Sequence, residues 1–549
     1  MRVRAQTLLY SMILQHMKIV LTPLALLVFT IAAAQEDAEI SERMSCTSIM
    51  VGRNASTDGS VMTSHTCDGR YRTWMQWVEA ADHKDDAKLK IYQGRMHTET
   101  PQGMEGVTVK GEIPQVAHTF RFLDSCYPCL NERRLGIGET TIGGRDTLRN
   151  RKGMFMIEEL QRVALQRCTS AREAIRLMGD LIKTYGYGDS GECLTIADTA
   201  EVWIFEVFGE GPKHVGGVWA AQRIPDDEVS VSANNCRIGR IDLGNDDFMA
   251  SENVFDVARK LKLWDGKSEF SFWKAYAGCN YNDEVKNYST RELFILSTLA
   301  PSKGFSDALE ELPVSVKPDK QVSLSDVFKL LGTYYEGTEL DYTQRLYVPN
   351  KSKKKVGDSI PEKIISPRAN PWMRSDETAV YAAAGDTTFS KWIRPVAVSF
   401  CAYSTVIQLK GNVSEGVGGI AWVSYDNPGE SPRFPVYCGS TRLPKICEIC
   451  GNHSYRDDCA LWRFRRTNKL ATVRWGNSRS SLEPARDYFL EKALREQKLV
   501  ENTFAKLNSE DKASGEEFLN NYTSDFLGAA ILKWDELYRK FWDAHWSGF

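Results

Sequence analysis

The chain has 549 residues, 42% of them hydrophobic and 26% charged, with a formal net charge of -3. That length and composition exclude a disordered or fibrous chain and suffice for a large buried core, in one large α/β unit or in two to four ordinary domains. The near-neutral charge gives no electrostatic reason to expect nucleic acid or an anionic membrane surface as partner, and 14 Trp with 21 Tyr call for a packed interior.

Near the start, Lys18 precedes an apolar run, Ile19 to Ala34, that ends in Ala32-Ala33-Ala34 before polar Gln35-Glu36-Asp37. A basic start, a short apolar stretch and small residues at its end describe a secretory signal peptide, here 1–34. The alternative is a membrane anchor, but the run is shorter than the roughly 20 residues a spanning helix needs and Pro23 interrupts it. Met17 directly before Lys18 reads as an initiator, which would put 1–16 upstream of the true start. Residues 35–45 are polar, acidic and without periodicity, and fit a propeptide. The expectation is an exported protein (periplasmic, secreted or in a secretory lumen) with no stable membrane anchor. Asn287-Tyr288-Ser289 and Asn521-Tyr522-Thr523 would permit glycosylation in a eukaryotic secretory route.

Cys46 to Val51 reads as a strand, Asn54 to Gly59 as a turn, and Ser60 to Thr66 as the returning strand of a hairpin. Ile157, Leu160, Val163 and Ala164 form one helical stripe. Ser170 and Glu173 form a capping box before a second, with Ala174, Ile175, Met178, Leu181 and Ile182. Strands resume at 193–197, 202–208 and 229–233, so sheets with helices packed on them are expected. Residues 340–375, with several prolines and the run Lys351 to Lys355, read as loop; Trp392 to Trp422 reads as strand material. The end is helical. Ser481 caps a pattern through Ala485, Phe489, Ala493 and Leu499, and a last helix from about Thr523 buries Phe526, Ala530, Trp534, Leu537 and Phe541. There is no internal repeat.

Of 13 cysteines, an even 12 remain once Cys46 is set aside, compatible with disulfides in an oxidising compartment. Two Cys-x-x-Cys pairs, Cys126/Cys129 and Cys447/Cys450, could supply four thiolates to zinc only if the fold joined them; their separation favours disulfides or core cysteines.

Cys46 opens a strand directly after the short leader. Cleavage of Ser45-Cys46 would put a thiol and a free α-amine on one residue. A thiol is weakly ionised at neutral pH and needs a base; a terminal amine, with a pKa of about 7.7–8.0, is close to what a general base requires. The other reading of a lone cysteine is a buried structural one.

The surrounding residues favour the first reading. Cys46-Thr47-Ser48-Ile49-Met50-Val51-Gly52, then Asp58-Gly59-Ser60 and His65-Thr66-Cys67-Asp68, resembles the start of the dipeptidase A/secernin family of cysteine N-terminal-nucleophile (Ntn) hydrolases. Asn131-Glu132 with Leu135-Gly136-Ile137-Gly138-Glu139-Thr140-Thr141 is similar to a second family signature, and Ala233-Asn234-Asn235 with Arg237-Ile238-Gly239 and Asp242 to a third. Tyr335-Glu336-Gly337-Thr338 with Asp341, and Trp422 to Pro428 with Ser431-Pro432 and Pro435, resemble two later blocks. The resemblance spans roughly 46–470 and leaves 471–549 as a helical C-terminal extension.

The resemblance implies an α+β fold, a four-layer αββα sandwich of two antiparallel sheets between helical layers. It also implies roles. Cys46 is the nucleophile, Asp68 holds and orients its amine, and Asn131 and Asn234 are oxyanion-hole donors. Losing one such donor typically costs about 3 kcal/mol of transition-state stabilisation. Many relatives carry arginine where this chain has His65, which makes His65 a candidate substrate contact of altered specificity. Arg291 is a candidate for gripping the substrate carboxylate. The implied reaction is hydrolysis of dipeptides or short peptides through a thioester, with no metal or organic cofactor. Self-association is left open. Two other functions fit the same residues: an acylase of non-peptide amides, and a non-catalytic secreted protein that kept the fold.

Overall fold

The computed structural model describes residues 45–278, 286–350, 362–383 and 393–548. The signal peptide expected over 1–34, the 35–45 propeptide except Ser45, the Lys351–Lys355 run and Trp392 lie outside the described residues.

Two antiparallel sheets carry the fold. In the first, seven strands run in the order Ser315–Val316, Val229–Ser232, Ser48–Val51, Val61–Asp68, Cys401–Leu409, Gly419–Tyr425 and Phe434–Tyr437. The expected hairpin is present, with Val51 opposite Met62. The second sheet has eight strands: Phe248–Ala250, Gly217–Ile224, Val202–Gly209, Glu192–Ala197, Gly136–Thr141, Leu130–Asn131, Phe122–Asp124 and Gln76–Val78. Val61–Asp68 packs against Gly136–Thr141 and Glu192–Ala197 of the other sheet. Every residue of Val61–Asp68 is buried, so the strand lacks the polar/apolar alternation of a half-exposed one.

The two sheets meet through hydroxyls as well as methyls. Thr63 Oγ1 lies 2.5 Å from Thr195 Oγ1, Thr140 Oγ1 lies 2.6 Å from Ser232 Oγ, and Ser48 Oγ donates to the Glu139 carbonyl at 3.2 Å. Gly138 permits this closeness, because a Cβ there would stand 2.1 Å from the Ser64 carbonyl oxygen. Helices Ile157–Arg167 and Ala171–Tyr185 pack against the eight-stranded sheet, and Leu324–Gly332, Ala460–Thr472, Trp475–Glu510 and Lys512–Ala544 against the seven-stranded one. The class is α+β, and Ser45 to Phe549 form one compact unit.

Local chemistry departs from the sequence reading in four places. Ser170 accepts from the Glu173 N–H at 3.3 Å, but the Glu173 carboxylate takes the Thr169 N–H at 2.9 Å, one residue before the expected partner. Ser481 does not begin a helix: Trp475–Glu510 is one helix with Pro484 inside it, anchored by fully buried Trp475 against Trp372 and Tyr334. Its buried stripe continues through Val500 and Phe504, while Leu499 is exposed. The last helix starts at Lys512, where the Asp511 side chain accepts from Ser514 N at 2.9 Å, not near Thr523. Within 340–375, the expected loop contains a one-turn helix, Tyr342–Gln344, and a two-stranded ribbon, Tyr347–Pro349 with Lys363–Ile365.

Candidate active site

Cys46 lies just before the Ser48–Val51 strand and is 4% exposed. The hairpin sets its place. Thr47 N donates to Thr66 Oγ1 at 2.8 Å and Thr66 N to the Thr47 carbonyl at 3.0 Å, so Cys46 is zipped beside the end of Val61–Asp68. Asp68 is 1% exposed. Its Oδ2 accepts from Thr66 Oγ1 at 3.0 Å and from Arg394 Nη2 at 2.5 Å, and its Oδ1 is buried with no hydrogen-bond partner.

Two guanidinium groups flank Cys46. Arg291 Nη1 donates to the Cys46 carbonyl at 2.6 Å and to Thr47 Oγ1 at 2.9 Å, and Nη2 donates to the Ala233 carbonyl and to Asn234 Oδ1, both at 2.9 Å. Arg291 is 5% exposed, and burial followed by the charge of Arg394 lowers its pKa to about 10, which still leaves it cationic at neutral pH. Arg291, expected to grip a substrate carboxylate, here spends Nη1 on the Cys46 loop and Nη2 on the Asn234 loop. Arg291 opens Thr290–Leu299, whose N-terminus is a capping box of Ser289 and Glu292. Glu292 reaches further, accepting from Ala233 N at 2.8 Å and Asn235 Nδ2 at 3.0 Å. One helix end therefore fixes both the Cys46 loop and the Asn234 loop.

Arg394 was not singled out from the sequence. Its Nη2 donates to the Ser45 carbonyl as well as to Asp68, and its Nη1 donates to the carbonyls of Pro395 at 2.6 Å and Val396 at 3.1 Å. Nothing in the local sequence marks it, since it precedes Cys401–Leu409 without periodicity.

His65 is 2% exposed, and its Nδ1 lies 2.7 Å from the Glu139 carbonyl oxygen. Burial lowers its pKa to about 4. The neutral ring packs against Tyr127 and Tyr403, so the arginine-to-histidine difference leaves no cation at this position. Glu139 is fully buried, and burial raises its carboxyl to about 7, against bonds from Glu192 and Thr141 that pull it down. Burial, then Glu139, raises Glu192 too. For the Cys46 thiol, burial comes first, then Glu139, then Asp68, all pushing it well up, while the Asp68 backbone bond acts in the opposite sense. With its nitrogen in a peptide link, the Cys46 thiol is held protonated.

Cys46 Sγ, a His65 ring nitrogen and a Glu139 carboxylate oxygen all lie within 4.8 Å of one another, as do ligand atoms of Glu99, Cys450 and His453 elsewhere. Both trios offer donor types that suit a zinc-class cation. The 12 described cysteines are all free thiols, including Cys126, Cys129, Cys447 and Cys450.

The two asparagines part ways. Asn234 has left-handed backbone (φ 69°), donates from Nδ2 to the Thr141 carbonyl at 2.6 Å, and is tied to Cys46 through Arg291. Asn131 donates from Nδ2 to the carbonyls of Leu165 and Cys168, each at 2.9 Å, and accepts on Oδ1 from Arg133 N and Leu135 N. Both amide hydrogens are engaged at the end of Ile157–Arg167, where the expected oxyanion role would call on one of them.

Several known proteins share this sequence pattern. A "Probable dipeptidase" of Latilactobacillus sakei is 26% identical over 412 residues, 72% of this chain and 74% of that protein. A "Probable dipeptidase" of Salmonella dublin is 25% identical over 459 residues, 78% of this chain and 90% of that one. "Dipeptidase A" of Lactobacillus helveticus is 19% identical over 427 residues, 73% and 76% respectively. The family model described as Peptidase family C69 matches residues 45–487, beginning one residue before Cys46. The chain belongs to peptidase family C69.

Proposed function

We propose that the protein is an exported cysteine dipeptidase of the Ntn type, with Cys46 as nucleophile once cleavage after Ser45 has made it N-terminal. The observation that carries this reading is the constellation around Cys46: a buried thiol beside Asp68, its own carbonyl held by Arg291, where the family match begins. Two antiparallel sheets with helices packed against each support a four-layer αββα arrangement. The relatives' dipeptidase names support dipeptides or short peptides as substrates.

The chemistry follows from charge. In the uncleaved chain, buried Glu139 and Asp68 disfavour a thiolate. An α-amine released on Cys46 becomes an ammonium at neutral pH, a cation beside the sulfur that favours thiolate and can shuttle its proton. The buried, unpartnered Oδ1 of Asp68 is an acceptor suited to that amine. The thiolate attacks the peptide carbonyl; the amine protonates the leaving amino acid; water activated by the same amine hydrolyses the thioester. Asn234, in left-handed backbone and bonded to Arg291, is retained as the oxyanion donor. Residues 1–34 and 35–45 serve as export signal and propeptide.

Cys46→Ala tests this. No amino acid should be released from dipeptides, and the active wild-type enzyme should begin at Cys46 by intact-mass spectrometry. Turnover by the variant, or by a chain whose Cys46 nitrogen remains acylated, would refute the assignment.

A further inference from the structure

We propose that Arg394 is the oxyanion donor for removal of the leader, so that the chain cuts itself between Ser45 and Cys46. This rests on the reading of Cys46 as the residue that cleavage exposes.

The geometry around the bond to be cut carries the argument. Arg394 Nη2 has two hydrogens: one meets the Ser45 carbonyl oxygen and the other meets Asp68 Oδ2. Both hydrogens of Nη1 go to carbonyls of the two residues that follow, Pro395 and Val396. The guanidinium is thus clamped by its own turn before any reaction, and the whole group is only 11% exposed. A cationic donor fixed on a carbonyl oxygen stabilises that oxygen far more when it becomes an anion, and it does so without reorganisation. A binding role for Ser45 alone would not require the cation to address the carbonyl of the scissile bond. Arg291, on the other side, holds the Cys46 carbonyl at 2.6 Å. The two arginines hold the carbonyls on either side of Cys46.

The step balances. Cys46 Sγ adds to the Ser45 carbonyl carbon through a five-membered ring, and the C=O electron pair moves on to the oxygen facing Arg394. The intermediate collapses with loss of the C–N bond, and the thiol proton goes to the departing nitrogen. The product is a Ser45 thioester on Sγ next to a free α-amine on Cys46. Water then cleaves the C–S bond, releasing the Ser45 carboxylate with the leader and restoring the thiol.

The test uses the full chain made by cell-free synthesis, with leader loss timed by intact-mass spectrometry and folding checked by circular dichroism. Arg394→Ala should mature at least about 100-fold more slowly, and millimolar guanidinium should restore part of the rate, which a purely structural loss would not allow. Maturation of Arg394→Ala at the wild-type rate overturns the proposal. If Arg394→Ala does not fold, Arg394→Lys is read by the same assay: slow maturation of a folded chain supports the role, and a wild-type rate overturns it. Cys46→Ala separates the two levels. Leader loss from that variant at the wild-type rate ends self-cleavage as an explanation, while the dipeptide assay on mature enzyme still decides whether Cys46 is the nucleophile. Normal maturation of Arg394→Ala with an inert Cys46→Ala removes only Arg394 from the scheme.

Discussion

Glu139 sits on Gly136–Thr141 with its carboxylate within 4.8 Å of the Cys46 sulfur, fully buried and raised to about 7. In an unfolded chain the same group titrates at about 4.3. Between those two values the folded protein keeps a proton that the unfolded chain has released, so stability falls as pH rises through this window, and the loss is complete above about 7. Glu139→Gln removes the titration while keeping the shape. Its stability relative to wild type should rise from about pH 4.5 to 7 and then level off, by on the order of 1–3 kcal/mol for a carboxyl shared with Glu192. Urea unfolding at pH 5 and pH 8 measures it; a difference that does not change between those pH values would contradict the burial argument. Residue identity alone shows little of this. Glu139 was legible as part of a motif, but its burial between sheets, which makes it titrate near neutrality, depends on the approach of Ser64 that Gly138 permits.

At the scale of elements, sequence distance decides what can be read. Cys46 and Asp68 were legible because one hairpin joins them, and its register follows from adjacent strands. Arg394 was not, since the fold brings it to Asp68 across 326 positions from a stretch with no periodic signal. Asn131 was legible as a motif residue but its helix-end bonds were not, because only tertiary packing lays the end of Ile157–Arg167 over its amide. The same contrast separates two helix caps. Glu173 is an exposed cap residue bonded to Thr169, whereas Glu292 is fully buried and bonds Ser289, Ala233 and Asn235 at once. Glu173→Gln should cost under about 1 kcal/mol and leave turnover unchanged. Glu292→Gln turns an acceptor into a donor among buried N–H groups, and should cost about 2–4 kcal/mol. It should also lower kcat, because the Arg291 next to it loses its fixed place against Cys46. Thermal melts paired with dipeptide kinetics distinguish the two; equal losses would mean that the buried cap does not hold the site.

For the molecule as a whole, the question is whether the C-terminal helices are an appendage or part of the core. The helical extension expected from 471 onward, where the family resemblance stops, packs into the same core. Trp534 is fully buried in Lys512–Ala544, its ring 5.6 Å from Phe464 and 6.3 Å from Phe489. Its Nε1 donates to Asn468 Oδ1 at 2.9 Å, and Asn468 Nδ2 donates to Asp426 Oδ2 at 2.9 Å and Ser431 Oγ at 2.8 Å, just beyond Gly419–Tyr425. Arg465 Nε meets the same Asp426 at 2.6 Å and its Nη2 the Cys401 carbonyl at 2.9 Å, at the start of the strand that pairs with Val61–Asp68. The last helix is therefore two contacts from Cys401–Leu409, the strand that pairs with the one ending in Asp68. Trp534→Ala removes a large buried ring and leaves Asn468 without its donor, a loss of about 3–5 kcal/mol. Trp542→Ala, on the same helix but 45% exposed, should cost under about 1 kcal/mol. If the sheet and the helices form one cooperative unit, Trp534→Ala should lower the single melting transition and the temperature at which dipeptidase activity is lost by the same amount. Retention of activity above a separate, earlier helical transition would show instead that the strands hold Asp68 and Cys46 without help from the C-terminus.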